Sequence, residues 1–349
     1  MNKESFFSWK RLLPTMGVLL ALGAIIALLA TGKPLSSHAA PSITTITPTP
    51  TPGHTASPPI LYEIRTDSSI WQYTGTPLTG WKEIGSPNSQ TASIVATKAA
   101  LYQLHGDGTI WQYTGTPLTG WKEIDNSQKA NQIAVSVTGE LYKEYQSDGS
   151  VWKYTGTPLT GWVQIANNSF STISAAGPNG ALYVTRTDGV YKYTGTPITG
   201  WQLIDNTMVG GYRAALQVIA GADGKVYETR VNSDNTYSVW TYNNSGTSWT
   251  RIDSGQNISY AVPDGTGKIY GLAKNGTIWK YNGKWTSLNN PQPTSPMNLQ
   301  ASVGGSVFQI LHGGSVWLYN GKSWTQIDNN PKTFLLASSS GGLGVNFVG

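Results

Sequence analysis

A sevenfold internal repeat constrains this chain more than any other feature of its sequence. The segment IWQYTGTPLTGWKEI occupies residues 70–84 and recurs unchanged at 110–124, with progressively looser copies further along the chain. The first aromatic residues of the seven copies are Trp71, Trp111, Trp152, Tyr191, Trp240, Trp279 and Trp317. A chain with this periodicity is expected to fold as an array of equivalent units, each packed against its neighbours.

Each repeat unit contains four short strand-like runs. In the second unit these are SIVAT (93–97), LYQLH (101–105), IWQY (110–113) and GWKEI (120–124). The runs are rich in β-branched and aromatic residues and are bounded by turn residues. Asp-Gly or Asn-Gly dipeptides separate the second run from the third in four units, as in tight hairpins. Four antiparallel strands per unit predict an all-β fold, a seven-bladed β-propeller of four-stranded blades.

The two ends of the repeat region predict how the ring closes. The first unit begins near Leu61 without an innermost strand, and a spare strand of that type, TFLLA, stands at 333–337. We therefore expect the C-terminal region to complete the first blade, which would hide exposed strand edges. The segment LGVNFV at 343–348 resembles a second strand, a position that LYEIR (61–65) already fills. It should either compete with that strand or pack outside the ring.

The N-terminal region predicts export. Residues 1–40 combine Lys3, Lys10 and Arg11 with an uncharged stretch from Leu12 to Ala30. This pattern is typical of a signal peptide or a membrane anchor, and cleavage and anchoring both remain open. In residues 41–59, 14 of 19 residues are Pro, Ser or Thr, which predicts an extended linker. The propeller, residues 60–349, is therefore expected outside the cytoplasm, secreted or tethered to the cell surface, with no other membrane contact.

Composition excludes several classes of function. The chain has no Cys, so disulfides, zinc–cysteine sites and cysteine nucleophiles are excluded. The net charge of +5 arises largely in the leader, because removing its four bases and one acid leaves 19 bases and 17 acids. A nucleic-acid partner is not expected, since no basic run follows the leader.

The acidic residues and histidines do not predict an active site. Asp67, Asp107, Asp148 and Asp188 recur at equivalent turn positions, and the expected innermost strands contain no charged residue. A glycosidase needs one specific pair of carboxylates at a fixed separation, which repeated turn residues do not supply. His105 and His312 belong to distant blades and suggest neither a triad nor a metal site. We expect no enzyme activity, no cofactor and no metal.

Aromatic residues make carbohydrate the expected ligand. Trp and Tyr rings offer flat faces on which the C–H face of a sugar can stack. The candidate sugar-binding residues are the fourth-strand indoles and three third-strand indoles, namely Trp81, Trp121, Trp162, Trp201, Trp71, Trp111 and Trp152. The alternative is purely structural, because Trp and Tyr of the IWQY strand share one face and could pack against the next blade. The repeated TGTPLTG loop could likewise mark a repeated ligand site or a recent duplication.

The order of these motifs resembles a known family. A strand of small residues, then LYQLH, IWQYTGTP and a GW strand ending in Ile, is similar to the tachylectin-like and tectonin-like lectin propellers and to seven-bladed bacterial fucose-binding lectins. The resemblance covers roughly residues 60–349 and implies shallow sugar sites between blades. The Gly-Gly-Trp motif of the tachylectin type is echoed only by Gly210-Gly211-Tyr212, and the last three units lack TGTPLTG. The expected function is multivalent glycan binding, and the alternative is an adhesion or scaffold propeller that binds a protein through its loops.

Overall fold

Seven antiparallel sheets form a closed ring of blades in the computed structural model, as predicted. The structure describes residues 58–345, apart from 88–89, 146, 168–171, 265 and 292–295. The predicted leader (1–40) and residues 41–57 of the linker lie outside the described residues. In the part of the chain that is described, no helix is long and apolar enough to cross a bilayer.

Each blade has four strands, named below in order from the innermost to the outermost. Blade one contains β30 (Thr333–Ser338), β1 (Leu61–Arg65), β2 (Ile70–Tyr73) and β3 (Trp81–Gly85). Blade two contains β4 (Thr91–Ala96), β5 (Leu101–His105), β6 (Ile110–Tyr113) and β7 (Trp121–Asp125). Blade three contains β8 (Ala130–Val135), β9 (Leu141–Tyr145), β10 (Val151–Tyr154) and β11 (Trp162–Ala166). Blade four contains β12 (Thr172–Ala176), β13 (Leu182–Arg186), β14 (Gly189–Tyr193) and β15 (Trp201–Asp205).

The remaining blades repeat this order. Blade five contains β18 (Ala215–Ala220), β19 (Val226–Val231), β20 (Tyr237–Tyr242) and β21 (Trp249–Arg251). Blade six contains β22 (Ile258–Pro263), β23 (Ile269–Ala273), β24 (Ile278–Tyr281) and β25 (Trp285–Ser287). Blade seven contains β26 (Pro296–Ala301), β27 (Val307–Leu311), β28 (Val316–Tyr319) and β29 (Trp324–Asp328). Between blades four and five, an inserted hairpin pairs β16 (Met208–Val209) with β17 (Tyr212–Arg213), which accounts for the longer spacing between Tyr191 and Trp240.

The ring closes as the sequence predicted. β30 pairs antiparallel with β1, with Leu61 opposite Ser338 and Ile64 opposite Leu335. The first blade is therefore built from both ends of the repeat region. Opening the ring at this blade would expose the edges of both strands, and the composite sheet prevents that.

The expectation for the C-terminal tail was wrong. After β30 the chain turns back, and β31 (Gly342–Val345) pairs antiparallel with β8, the innermost strand of blade three. The tail therefore packs inside the ring, along the axis, and neither competes with β1 nor lies outside. The Gly341 N–H donates to the Ala96 carbonyl at 3.1 Å, and the Ser340 hydroxyl donates to the Ala301 carbonyl. These bonds tie the tail to blades two and seven as well.

The hydrophobic core consists of seven layers, one between each pair of neighbouring blades. Strand alternation sorts the side chains between two layers. On β6, Ile110 packs toward blade three, whereas Tyr113 packs toward blade one. The aromatic face of each third strand thus contacts the preceding blade, where the sequence suggested the next one.

Candidate functional site

The fourth-strand indoles, predicted to bind sugar, occupy the seams between blades. Each is half-buried and donates its N–H to a backbone carbonyl on the fourth strand of the preceding blade. The bonds are Trp81 to Ile327 at 2.9 Å, Trp121 to Ile84 at 2.9 Å, Trp162 to Ile124 at 3.0 Å and Trp201 to Ile165 at 3.0 Å. Each ring also lies 5.0–5.2 Å from a third-strand Tyr ring of its own blade. Their indole N–H groups are therefore already hydrogen-bonded within the protein.

The repeated TGTPLTG loop has a structural role, because it forms a hydrogen bond to the preceding blade. The backbone N–H of its Leu or Ile donates to the same carbonyl that accepts the indole N–H. These bonds are Leu78 to Ile327, Leu118 to Ile84, Leu159 to Ile124 and Ile198 to Ile165, at 2.9–3.0 Å. To do so these residues adopt φ values of 66–69°, which is uncommon for bulky side chains. The loop and the indole together clamp each of these blades to the one before it.

The third-strand indoles are held by the repeated Asp turns. The Trp111 N–H donates to the Thr109 hydroxyl at 3.1 Å, and that hydroxyl donates to the Asp107 carboxylate at 2.8 Å. Trp71 and Trp152 make equivalent bonds with Ser69 and Ser150, at 2.9 and 3.0 Å. The turn aspartates therefore have the structural role that the sequence indicated.

A second-strand side chain contacts the ring of each of these three third-strand indoles. The Arg65 guanidinium lies 3.8 Å from the Trp71 ring centre, and His105 stacks on Trp111 at 5.5 Å. Tyr145 contacts Trp152 in the same way, at 5.7 Å. All three indoles are half-buried, so each keeps only part of its ring for a ligand.

Two of the aspartates that end the fourth strands form buried ion pairs with the next blade. The Lys143 ammonium lies 2.7 Å from the Asp125 carboxylate, and Arg230 lies 2.9 Å from Asp205. These four side chains are at most 7 % exposed. No group of three or more His, Asp and Glu able to hold a metal occurs within the described ranges.

The structure places a cleft where the sequence did not predict one. A cavity of about 510 Å³ opens between blades four and five, at the end where first strands turn into second strands. Its walls are the turn Pro178–Ala181 of blade four and the turn that begins at Ala220 in blade five. The Asn179 N–H donates to the Thr138 hydroxyl of blade three at 3.2 Å, which fixes the first wall. Its size falls within the ~300–1,000 Å³ of small-ligand sites.

Three side chains in a row form the floor of this cleft. Tyr183, Lys192 and Gln202 lie directly opposite one another on β13, β14 and β15. Cross-strand neighbours of this kind stand about 5 Å apart at Cβ, so their polar ends can meet one ligand. Burial raises the pKa of Tyr183 to about 12, which keeps its hydroxyl protonated. Tyr193 also borders the cleft, but its ring lies on the opposite face of the sheet, where it packs on Trp201 at 5.1 Å against blade three.

None of the seven predicted indoles lines this cleft. Sequence reasoning missed Asn179, Lys192 and Gln202. Lys192 and Gln202 belong to the repeated motif. The matching positions of blade two hold Gln112 and Lys122, so the two residue types are interchanged between the blades. The available signal was the turn Pro178–Gly180, whose Pro-Asn-Gly sequence differs from the matching turns of the other blades.

Comparisons with known proteins support the fold alone. No protein-family model and no curated protein sequence matches the chain. A catalytically inactive variant of virginiamycin B lyase from Staphylococcus aureus, solved with quinupristin, matches with a TM-score of 0.55 at 15 % identity, covering 76 % of this chain and 98 % of that one. AztD from Citrobacter koseri matches with a TM-score of 0.56 at 10 % identity, covering 82 % and 99 %. A puromycin-hydrolyzing peptidase from Mycobacterium tuberculosis matches with a TM-score of 0.55 at 11 % identity, covering 76 % and 50 %.

Proposed function

We propose that this chain is a carbohydrate-binding propeller and that the cleft between blades four and five is its principal sugar site. The observation that carries the proposal is the row Tyr183, Lys192 and Gln202 on the floor of a cavity of about 510 Å³. A sugar presents many hydroxyl groups around an apolar ring face. The cleft offers matching hydroxyl, ammonium and amide groups from these three side chains.

The walls of the cleft suit a ligand that lies close to the backbone. Glycines stand at both sides of the opening, namely Gly180 and Gly195 from blade four with Gly221 and Gly224 from blade five. At Gly195 and Gly224 an added Cβ would meet no atom within 4 Å, so a sugar ring can approach the backbone of these two turns. The resemblance to lectin propellers points to the same place, a shallow site between blades.

Binding, rather than cleavage, is proposed because of the groups that line the cleft. Among its described lining residues there is no Asp, Glu or His. Hydrolysis of a glycosidic bond generally uses two carboxylates, one as acid and one as base or nucleophile. The cleft supplies neutral and cationic groups instead.

The seven indoles remain candidate additional sites, with a narrower role than the sequence suggested. Their N–H groups donate to protein acceptors, so only exposed ring surface is available for stacking. Weak sites of this kind, repeated on one rigid ring, would add avidity to the cleft. We also propose that the domain acts outside the cytoplasm, on the strength of the export pattern in residues 1–40.

A glycan array probed with the full-length chain tests the proposal, followed by calorimetric titration of the best sugar. The test variant Lys192→Ala/Gln202→Ala should weaken binding by roughly tenfold or more, since two ligand hydrogen bonds are lost. The control Gln112→Ala/Lys122→Ala removes the same two side-chain types from the matching row of blade two, and it should bind like the parent. A blank array from folded protein, or equal losses in both variants, would overturn the proposal.

A second candidate function, binding of a protein partner, is favoured by the inserted hairpin. Tyr212 is 63 % exposed and Met208 is 45 % exposed beside the Gly210-Gly211 turn. The hairpin is held at its base, because the Arg213 guanidinium donates to the carbonyls of Arg186 and Ala215 at 2.7 and 3.1 Å. Exposed Tyr and Met side chains on a fixed support are typical of protein-binding surfaces. Retention of a partner by the parent and by Tyr212→Ala alike would count against this candidate.

A further inference from the structure

From the charges in and around the cleft, we infer that it selects acidic sugars, those that carry a carboxylate, over their neutral counterparts. The inference rests on the proposed function and goes beyond it by naming the class of ligand. Lys192 is the only charged residue among the described residues that line the cleft. It is half-buried on β14, between Tyr183 and Gln202.

The Lys192 ammonium has no carboxylate partner among the residues that the structure describes. It takes part in none of the ion pairs that these residues form. This separates it from Lys143, which is paired with Asp125 at 2.7 Å, and from Lys225, which is paired with Asp223 at 3.0 Å. A half-buried cation without a counter-ion is set to receive an anionic group from a ligand.

Asp223 lies on the turn that forms the blade-five wall, and its Oδ1 stands 2.6 Å from where a Cβ on Gly221 would be. Its carboxylate folds over its own turn, accepting the Lys225 N–H at 3.2 Å and pairing with the Lys225 ammonium. Its Oδ2 also reaches blade six, where a Cβ added to Gly267 would lie 2.7 Å away. Because the Lys225 ammonium pairs with this carboxylate at 3.0 Å, Lys192 is the charge left without a partner among the described residues that line the cleft.

The row of three side chains fits a sugar acid better than an isolated anion. The Lys192 ammonium can bind the carboxylate, while Gln202 and the protonated Tyr183 hydroxyl lie beside it for ring hydroxyls. In blade two the matching row holds Tyr102, Gln112 and Lys122, so the cation there stands on the outermost, exposed strand. Exposed charges of this kind contribute little to binding, because water and salt screen them.

Matched sugar pairs test the inference, with galacturonate compared against galactose and glucuronate against glucose. We expect the full-length chain to prefer the acidic member by roughly fivefold to tenfold at low salt, and this preference should fall as salt is raised. Lys192→Gln keeps a polar side chain and should abolish the preference. Lys192→Arg should retain it, and the control Lys122→Gln should leave it unchanged.

The outcomes separate this inference from the proposed function. Equal binding of acidic and neutral members by the parent would refute acid selection while leaving sugar binding in place. A preference that survives Lys192→Gln would show that another cation is responsible and would refute the assignment. Failure to bind either member, with the fold confirmed by circular dichroism, would overturn both proposals.

Discussion

The hydrogen bonds of the fourth-strand indoles allow a quantitative prediction. In some blades the accepting carbonyl also receives a loop N–H, and in others no N–H of a described loop reaches it. In blade two the Ile84 carbonyl accepts both the Trp121 N–H at 2.9 Å and the Leu118 N–H at 3.0 Å. In blade five, which lacks the TGTPLTG loop, the Ile204 carbonyl accepts the Trp249 N–H at 2.6 Å. No N–H of the described loop 243–248 reaches that carbonyl.

Replacing each Trp by Phe therefore has unequal costs. Trp121→Phe removes one neutral hydrogen bond, worth about 1 kcal/mol, while Ile84 keeps its second donor. Trp249→Phe removes the same bond and leaves the carbonyl of the buried Ile204 without that donor, which adds about 1–2 kcal/mol. Both variants also replace a two-ring indole by a single phenyl ring. The free-energy cost of that smaller ring is common to both and cancels when the two variants are compared.

Urea unfolding followed by Trp fluorescence and circular dichroism measures the difference. Trp249→Phe should shift the midpoint further than Trp121→Phe, with the same slope for both variants and the parent. Equal midpoint shifts would refute the argument that the loop N–H still donates to the carbonyl after the indole N–H is removed. A larger shift for Trp121→Phe would refute the structural role assigned to the loop.

Three further predictions follow from buried groups and from the tail. Lys143→Met should lower the free energy of unfolding by about 3–5 kcal/mol, because it leaves Asp125 buried and unpaired, and adding Asp125→Asn should recover part of that loss in urea unfolding. Burial raises the pKa of Glu144 to about 8, so the folded state holds a proton that the unfolded state has released, and stability should fall as pH rises from about 4.5 to 8. Glu144→Gln should reduce this pH dependence of the thermal midpoint without removing it, because burial raises the pKa of Glu63 and of Glu228 to about 8 as well, and an unchanged slope would contradict the assignment. Truncation after Ser338 removes β31 and should lower the free energy of unfolding by roughly 1–3 kcal/mol, whereas an unchanged midpoint would show that the axial pairing contributes nothing.

The sequence was sufficient to predict the propeller and its closure, because both follow from the number and order of the repeated strands. Seven copies of a four-strand pattern indicate seven blades, and the missing innermost strand of the first unit matches the spare one at 333–337. The position of the tail was not predictable in this way. β31 pairs with the edge of β8, and an exposed strand edge accepts many sequences through backbone bonds alone.

The candidate site was harder to predict than the fold. The indoles were recognised by type, but their acceptors are backbone carbonyls of another blade, which leave no mark in the sequence. The cleft depends on three residues from three strands of blade four and on a turn from blade five. Gln112 and Lys192 occupy equivalent positions in blades two and four. The effect of this difference can be inferred only when the strand register shows which side chains lie beside each residue.

A crystal structure of the full-length chain soaked with its best-binding sugar would show where on the propeller the sugar binds. We predict that the sugar lies between blades four and five, with hydrogen bonds to Lys192 and Gln202. A sugar found only against the indoles of the other seams, or none in a crystal whose cleft is open to solvent, would contradict the account.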